Sequence, residues 1–264
     1  MELQGKSVLL TGATGGLGRA IAAALAAKGA RLVLSARDQA RLEELAAKLP
    51  GTGHRVVASD LGEPGAALEL MRAAGDVDVL IANAGVPGTG RIDELTPEQV
   101  QRDLRVNLEA PILMAQAAVP ALRARGAGHI ALIASLNAKA ATPRTSIYAA
   151  AKFGLRGFGL SLREDLRREG IGVSVVTAGL NRGAGMFAGS GASGSGLGTA
   201  TPAAVGRGVV RAIERNRGEV HIAPWRQTVG ARLSNSHPEL VGRITNATAV
   251  KAAERVAAGQ RDKR

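Results

Sequence analysis

The sequence predicts an α/β protein built on a doubly wound, seven-stranded parallel sheet with helices on both faces. Seven short apolar segments, each bounded by turn residues, predict buried strands, and helical segments separate them. A glycine-rich turn joins the first predicted strand to the first predicted helix. Strands that alternate with helices form parallel sheets covered on both sides. We therefore expect a single domain over residues 1–264.

The predicted strands span residues 7–10, 31–36, 54–59, 77–82, 130–134, 171–178 and 219–223. One predicted helix follows the glycine-rich turn as far as Gly29, and another carries Tyr148. Further helices are predicted over residues 39–49, 66–74, 96–125, 201–216 and 247–258. The helix over 96–125 contains Pro111, which predicts a bend because proline cannot donate the helical hydrogen bond.

Composition narrows the class of protein. Apolar residues make up 45% of the chain, which argues against disorder. The absence of cysteine excludes disulfides, cysteine nucleophiles and thiolate metal sites, and the four histidines lack metal-ligand spacing. No run of 18 apolar residues and no signal-peptide pattern is present, so we expect a cytoplasmic protein without a membrane span and without a metal.

The formal charge is +12, and residues 202–264 contribute +7 of it, from twelve Lys/Arg and five Asp/Glu. Arg207, Arg211 and Arg215 recur every four residues and form a basic stripe on a predicted helix. Such stripes occur in nucleic-acid and membrane-surface binders. No RNA-binding motif or interleaved aromatic residue accompanies this one, so we interpret it as a solvated face and expect no nucleic-acid partner.

The turn after the first strand, TGATGGLG, favours phosphate binding. Its glycines at 12, 16 and 18 permit a tight turn and let backbone N–H groups approach a phosphate at the helix N-terminus. The spacing Gly-x-x-x-Gly-x-Gly differs from the G-x-G-x-x-G dinucleotide motif. The position between a strand and a helix is what supports the interpretation.

The residues at the end of the second strand help to predict which nucleotide the site prefers. An acidic residue there binds the ribose 2′-hydroxyl of NAD, whereas an arginine accommodates the 2′-phosphate of NADP. Ala36 and Arg37 favour NADP(H), while Asp38 leaves NAD(H) open. The alternative role of Asp38 is to cap the helix that follows it.

Six features stand just past the ends of six predicted strands: the glycine-rich turn, Arg37, Asp60, Asn83, Ser135 and Ala178-Gly179. Ligands of open α/β sheets bind at the edge where the carboxyl ends of the strands lie. Each feature alone is explained by the ordinary composition of turns. Their recurrence with matching chemistry predicts one binding site at this edge.

Tyr148 and Lys152 are four residues apart on a predicted helix and therefore share a face. An ammonium group beside a phenol lowers the pKa of the phenol from about 10. A shift to neutrality needs about 4 kcal/mol, which a partly buried site with a second positive charge can supply. Ser135, at the end of a strand, can donate to the oxygen atom that the phenol protonates. The alternative is a packed tyrosine beside a solvated lysine.

Residues 180–200 are rich in glycine and serine and contain Met186 and Phe187. This composition is typical of a flexible linker. The position after the sixth strand favours a substrate lid that orders on binding. Together with Leu136, the two apolar side chains suggest an apolar substrate pocket. Residues 224–264 form a C-terminal extension.

With these residues in view, the chain resembles the short-chain dehydrogenase/reductase family over residues 3–223. The matching pieces are TGATGGLG, Asp60, Asn83-Ala84-Gly85, Asn107 within RVNLEA, Ser135 and Tyr148-x-x-x-Lys152. The resemblance implies a Rossmann-like fold, a nicotinamide cofactor and hydride transfer between that cofactor and a small-molecule carbonyl or alcohol. It also implies a homodimer or homotetramer.

The resemblance further implies site roles. Tyr148 would be the general acid/base, Lys152 would hold the nicotinamide ribose, Ser135 would bind the substrate oxygen, and Asn107 would anchor a water of the proton relay. Asp60 would contact the adenine, and residues 83–85 would border its ribose. The implied cofactor contacts are Gly12, Thr14, Gly16, Leu17, Gly18, Arg37, Asp60, Leu61, Asn83, Ala84, Gly85, Tyr148, Lys152 and Gly179.

Two departures from the family keep other functions open. The family has Pro-Gly after the sixth strand and a threonine soon after, whereas this chain has Ala178-Gly179 and Gly183. The contacts to the nicotinamide amide are therefore not predicted. The main hypothesis is an NADP(H)-preferring oxidoreductase, and the alternative is a catalytically silent NADP-binding regulatory or scaffolding protein. A third hypothesis is a polyanion or membrane-surface binder that uses the basic last quarter.

Overall fold

The computed structural model describes residues 1–179, 199–237 and 239. Seven strands of this part form one sheet in the order β3-β2-β1-β4-β5-β6-β7, and each neighbouring pair is parallel. The strands are β1 Ser7–Thr11, β2 Arg31–Ala36, β3 Arg55–Ala58, β4 Val79–Ala82, β5 Gly128–Ser135, β6 Ile171–Ala178 and β7 Glu219–Ile222. The predicted fold class is confirmed, and the predicted strand ends differ from these by one or two residues.

The described α-helices are α1 Gly16–Ala26, α2 Gln39–Lys48, α3 Ala66–Ala74, α4 Pro97–Leu104, α5 Ala110–Arg125, α6 Ser146–Asp165, α7 Pro202–Glu214 and α8 Trp225–Ser236. Short 3₁₀ turns cover Ile92–Glu94 and Leu136–Ala138. None of the helices in the described ranges is long and apolar enough to cross a membrane. The basic stripe of Arg207, Arg211 and Arg215 lies exposed along and just after α7.

The long helical segment predicted over 96–125 is confirmed from Pro97 to Arg125, but it contains a π-helical turn at Arg105–Glu109 that separates α4 from α5. Pro111 has no N–H to donate to the carbonyl group of Asn107, so the α-helical bonding pattern cannot continue through this segment. π-turns inside helices often mark functional sites. This one contains Asn107.

The sheet is buried on both faces. In β1, Val8 and Leu10 belong to one apolar cluster, with Ile21 of α1 and Val209 of α7, while Leu9 belongs to another with α3 and α5. Successive strand residues point to opposite faces, so the strands from β1 to β6 contribute to both clusters, whereas β7 packs against one of them. Buried parallel strands need this double cover.

The sheet order reverses direction between β1 and β4. Connections from β1 run toward β2 and β3 on one side, and those from β4 run toward β5, β6 and β7 on the other. Helices diverge from this point and leave a crevice beyond the carboxyl ends of the strands, which is where open α/β sheets bind ligands. Residues 180–198, most of the predicted lid, lie outside the described residues, as does the helix predicted over 247–258.

Candidate active site

A cleft of about 480 Å³ opens at this edge, beyond β1, β2, β4 and β5. Thirteen residues singled out from the sequence line it: Gly12, Thr14, Gly16, Leu17, Gly18, Arg37, Asp60, Leu61, Asn83, Ala84, Gly85, Tyr148 and Lys152. Asn107, Ser135 and Gly179 are not among its lining residues. The N–H of Gly179 donates to the carbonyl oxygen of Ile222 in β7.

The glycine-rich turn brings bare backbone to one end of the cleft. Gly12 has φ +65°, and a Cβ on it would stand 2.8 Å from the Cα of Ala84. Gly18 packs directly on the carbonyl oxygen of Gly12, where a side chain would overlap it. Helix α1 then begins at Gly16 with no acidic residue in its first turn. Free N–H groups and a positive helix end fit a pyrophosphate.

Thr11 and Asn83 tie the ends of β1 and β4 together. The amide of Asn83 donates to the carbonyl oxygens of Thr11 and Gly12 at 2.9 and 3.2 Å. The Thr11 hydroxyl accepts the N–H groups of Asn83 and Ala84, each at 3.0 Å. These bonds hold the glycine-rich turn against residues 83–85, so the pocket floor is preformed. The part played by Thr11 was not predicted.

At the end of β2 the structure supports the capping role of Asp38. Its carboxylate accepts the N–H of Arg41 at 3.0 Å and so caps α2. Arg37 and Arg41 are exposed and both line the cleft. Arg41 was missed in the sequence because it lies inside α2, where an arginine is ordinary.

Asp60 is held from the opposite wall of the cleft by Arg102 of α4. The guanidinium group donates to both carboxylate oxygens, at 3.0 and 2.8 Å, and the N–H of Gly62 donates to Oδ1 at 2.9 Å. Burial alone would raise the pKa of Asp60, but these bonds outweigh it and hold the pKa below its usual value. Arg102 also lines the cleft and was not predicted.

Tyr148 and Lys152 line the cleft, and Ser135, which does not line it, lies beside Tyr148. The Ser135 hydroxyl interacts with the buried Tyr148 phenol, and the Lys152 ammonium lies 5.7 Å from the centre of the Tyr148 ring. Lys152 Nζ donates to the carbonyl oxygen of Ile133 in β5 at 3.4 Å. Both α6 side chains therefore face the end of β5, as their four-residue spacing predicts.

In the protein alone, Lys152 does not lower the Tyr148 pKa, and the predicted shift toward neutrality, which requires a second positive charge, stays a prediction. Burial raises the pKa of Tyr148 above its usual value, the Ser135 hydrogen bond lowers it only in part, and the charge of Asp103 raises it further. Burial also lowers the pKa of Lys152 to about 8, against a raising effect of Asp103. The ammonium group lies over the ring and not at the hydroxyl, so a phenolate needs another positive charge.

Asn107 lies fully buried in the π-helical turn. Its amide nitrogen donates to the carbonyl oxygen of Val86 at 2.9 Å, which fixes the direction of the side chain. Its Oδ1 has no hydrogen-bond partner among the residues that the structure describes. Asp103, one turn earlier, is a buried carboxyl group that sequence reasoning missed. Polar residues precede Asp103 in the sequence, so the hydrophobic pattern of the helix does not predict that it is buried.

Comparison with known proteins identifies the family to which this chain belongs. The family described as "short chain dehydrogenase" matches residues 6–192. A solved structure described as "short chain dehydrogenase/reductase family protein" superposes with a TM-score of 0.77 at 30% identity, over 84% of this chain and 97% of that one. The chain therefore belongs to the short-chain dehydrogenase family, whose members generally bind NAD(P)(H).

Two relatives illustrate the range within the family. "Dehydrogenase/reductase SDR family member 7B" of Bos taurus is 39% identical over 184 residues, 65% of this chain. The matched region spans 57% of that relative's length, so the match covers only part of it. "Ketoacyl reductase HetN" of Nostoc sp. (strain PCC 7120 / SAG 25.82 / UTEX 2576) is 34% identical over 225 residues, 83% of this chain and 78% of the relative.

Proposed function

We propose that the protein is an NADP(H)-preferring oxidoreductase that interconverts a carbonyl compound and a secondary alcohol. The observation that carries this proposal is the convergence of Tyr148 and Lys152, with Ser135 beside Tyr148, in a cleft that a bare glycine-rich turn also lines. The glycine-rich turn would hold the pyrophosphate of a dinucleotide, and Tyr148 and Lys152 would lie at the site of its reactive ring. The family and the cleft favour this over a silent binding protein.

The cofactor, when bound, supplies or accepts the hydride at the carbonyl carbon. The protein manages the charge and the proton that accompany it. Ser135 donates a hydrogen bond to the substrate oxygen, where negative charge develops during reduction. Tyr148 gives that oxygen its proton in reduction and removes it in oxidation. Lys152 orients the nicotinamide ribose and supplies positive charge beside the phenol.

For the substrate class we propose a β-keto acyl group or a related apolar ketone. The support is the relative named ketoacyl reductase, which matches 83% of the chain. Leu136 directly follows Ser135 at the start of a short 3₁₀ turn, so its apolar side chain is our candidate for the wall beside the reacting group. The Gly/Ser-rich stretch 180–200 is proposed as the lid over this group, and a homodimer or homotetramer in the cytoplasm is the proposed state of the protein.

The test is NADPH oxidation with ethyl acetoacetate and a panel of longer β-keto esters, followed by absorbance. We expect turnover in the native protein and a loss of at least about a hundredfold in kcat for Tyr148→Phe, the usual size of general acid–base catalysis. This substitution keeps the ring, so NADPH binding should persist in the variant. Binding of NADPH without turnover of any ester in the native protein would favour the silent regulatory alternative.

The NADP preference rests on Arg37 and Arg41 at the cleft wall and on Asp38 being engaged as a helix cap. Removing one charge-assisted phosphate contact costs about 1.5 kcal/mol or more. We expect Arg37→Ser to raise the Kd for NADPH about tenfold and to leave the Kd for NADH unchanged, because NADH lacks the 2′-phosphate. Equal changes for both nucleotides would refute this assignment.

A further inference from the structure

Asp103 is a buried acid whose two oxygens are poorly satisfied, with the Asn107 side chain as the hydrogen-bonding group that acts on it. It is 4% exposed, and neither carboxylate oxygen has a hydrogen bond of ordinary geometry among the residues that the structure describes. Buried carboxyl groups are normally paired or hydrogen-bonded, because burying an isolated charge is costly. A carboxyl group in such a setting destabilises the folded protein when it is charged. Its position near the candidate site gives it a possible use, which is to bind and release a proton.

Its neighbours are the proton-handling residues of the proposed site. Asp103 precedes Asn107 by four residues, and its charge acts on Lys152 and Tyr148 of α6. Lys152 and Asn107 meet at Gly85, where an added Cβ would stand 3.8 Å from Lys152 Nζ and 2.9 Å from Asn107 Oδ1. The other cation nearby, Arg102, is bound to Asp60 and Glu63.

Two neighbouring acceptors need hydrogen atoms between them. Asn107 Oδ1 and the Asp103 carboxylate are both buried and lack a hydrogen bond of ordinary geometry in the described part of the chain, although the Asn107 side chain lowers the pKa of Asp103 as a hydrogen-bonding group. A proton on Asp103 satisfies both groups, as does a bridging water. A cavity of about 20 Å³ beside Asp103, bounded by Gln99, Arg102 and residues 86–88, has room for about one water.

We propose that Asp103 is a positioning residue for the proton path, which stores the reaction's proton and passes it between solvent and the Tyr148–Lys152 pair through Asn107. This proposal rests on the function proposed above. The cavity toward Gln99 and Arg102, both partly exposed, is the route to solvent. In agreement with this role, burial raises the pKa of Asp103 to about 6, while Asn107 and Lys152 act in the opposite direction.

The proton balance in reduction is as follows. The Tyr148 hydroxyl gives its proton to the substrate oxygen as the hydride reaches the carbonyl carbon. The resulting phenolate regains a proton by way of Lys152, which is resupplied by the Asp103 carboxyl group through water held at Asn107. The Asp103 carboxylate then takes a proton from solvent. In oxidation every proton moves in the opposite direction, and no other reactant is needed.

The experiment compares the native protein with Asp103→Asn, in both directions of ethyl acetoacetate turnover, across pH. We expect native oxidation of ethyl 3-hydroxybutyrate to rise through about pH 6 as Asp103 becomes able to accept a proton. In Asp103→Asn we expect this step to disappear and kcat to fall at least about tenfold, a lower share of an acid–base contribution. Glu109→Gln, an exposed carboxyl group two residues beyond Asn107, is the matched control and should keep the native profile.

A second readout does not depend on turnover. Tyr148 is the only tyrosine in the chain, so a protein labelled with ¹³C at the tyrosine Cζ gives one tyrosine resonance. We expect this resonance to shift with an inflection near pH 6 in the native protein and in Glu109→Gln, and to lose that inflection in Asp103→Asn. A residue that only supports the fold would change neither the inflection nor the pH profile in this way.

The outcomes separate the two proposals. Turnover with the same pH profile in Asp103→Asn and in the native protein overturns the role of Asp103 and leaves the proposed function standing. A native resonance without an inflection near pH 6 also overturns it. No turnover of any ester by the native protein overturns the proposed function, and the proton path with it.

Discussion

Two carboxyl groups of the candidate site, those of Asp60 and Asp103, have opposite environments. Asp60, which lines the cleft, receives three hydrogen bonds from Arg102 and Gly62, and its pKa lies below the usual value. Asp103, which lies outside the cleft lining on the side of Asn107, has no hydrogen bond of ordinary geometry from the described residues, and burial raises its pKa to about 6 although the Asn107 side chain lowers it in part. Arg102 and Asp103 are consecutive in α4, yet the arginine serves the distant carboxylate and not its neighbour.

The difference teaches what each carboxyl group is suited to do. A carboxylate fixed by a guanidinium group stays charged and keeps one orientation, which suits recognition of a nucleotide. A carboxyl group in an apolar setting can hold or release a proton near neutral pH, which suits proton transfer. Separation of pKa values by environment within one site is a general sign of divided roles.

The largest effect that would test this comparison is on stability. The folded-state pKa of Asp103, about 6, lies above the ordinary value of 3.8, so the folded protein holds this proton more tightly than the unfolded chain. The resulting stability is fully present below pH 3.8 and is lost as the pH rises through 6, a total of about 3 kcal/mol. Because asparagine does not ionise, Asp103→Asn removes this pH-dependent loss of stability.

Urea unfolding of the native protein and of Asp103→Asn measures the effect. We expect the variant's free energy of unfolding, relative to the native protein, to rise by about 3 kcal/mol between about pH 4 and about pH 8. The variant would then be more stable but less active at neutral pH. A difference that does not depend on pH would show that Asp103 ionises like an ordinary surface carboxyl group.

A smaller effect, on the Kd for NADPH, is expected when the ion pair between Arg102 and Asp60 is broken. Arg102→Met removes the guanidinium group that orients Asp60, and the Arg102 and Asp60 side chains are 29% and 33% exposed. A pair this accessible contributes about 1 kcal/mol, so we expect the Kd for NADPH to rise about fivefold. Fluorescence titration with NADPH measures it.

The matched control is Arg123→Met. Arg123 lies in the last turn of α5, outside the cleft, and forms an exposed ion pair with Glu169 that this substitution breaks. It makes the same change in charge and should leave the Kd for NADPH unaltered. Equal Kd values in the two variants would mean that Arg102 does not position Asp60 for the nucleotide.

Much of the site was predictable from strand ends. Gly12, Asp60 and Asn83 follow β1, β3 and β4, and parallel strands bring their carboxyl ends to one edge. The four-residue spacing of Tyr148 and Lys152 likewise fixes a shared helix face. These relations need only the local pattern and the chirality of βαβ connections, which sequence carries directly.

The π-helical turn and the pairing of Arg102 with Asp60 were not predictable. The latter joins residues 42 positions apart, and no periodicity encodes which of several arginines reaches a given carboxylate. The burial of Asp103 has the same character, since it depends on how α4 packs against α6 and residues 86–88. The raised Tyr148 pKa has the same origin, because burial and the charge of Asp103 outweigh the Ser135 hydrogen bond.

The sequence by itself determined the order of strands and helices and the edge of the sheet at which most of the predicted site residues gather. Only the tertiary structure decided the electrostatic state of those residues. The physical reason is that the pKa of a side chain depends on which neighbours exclude water and which donate to it. Those neighbours are assembled from elements far apart in the chain.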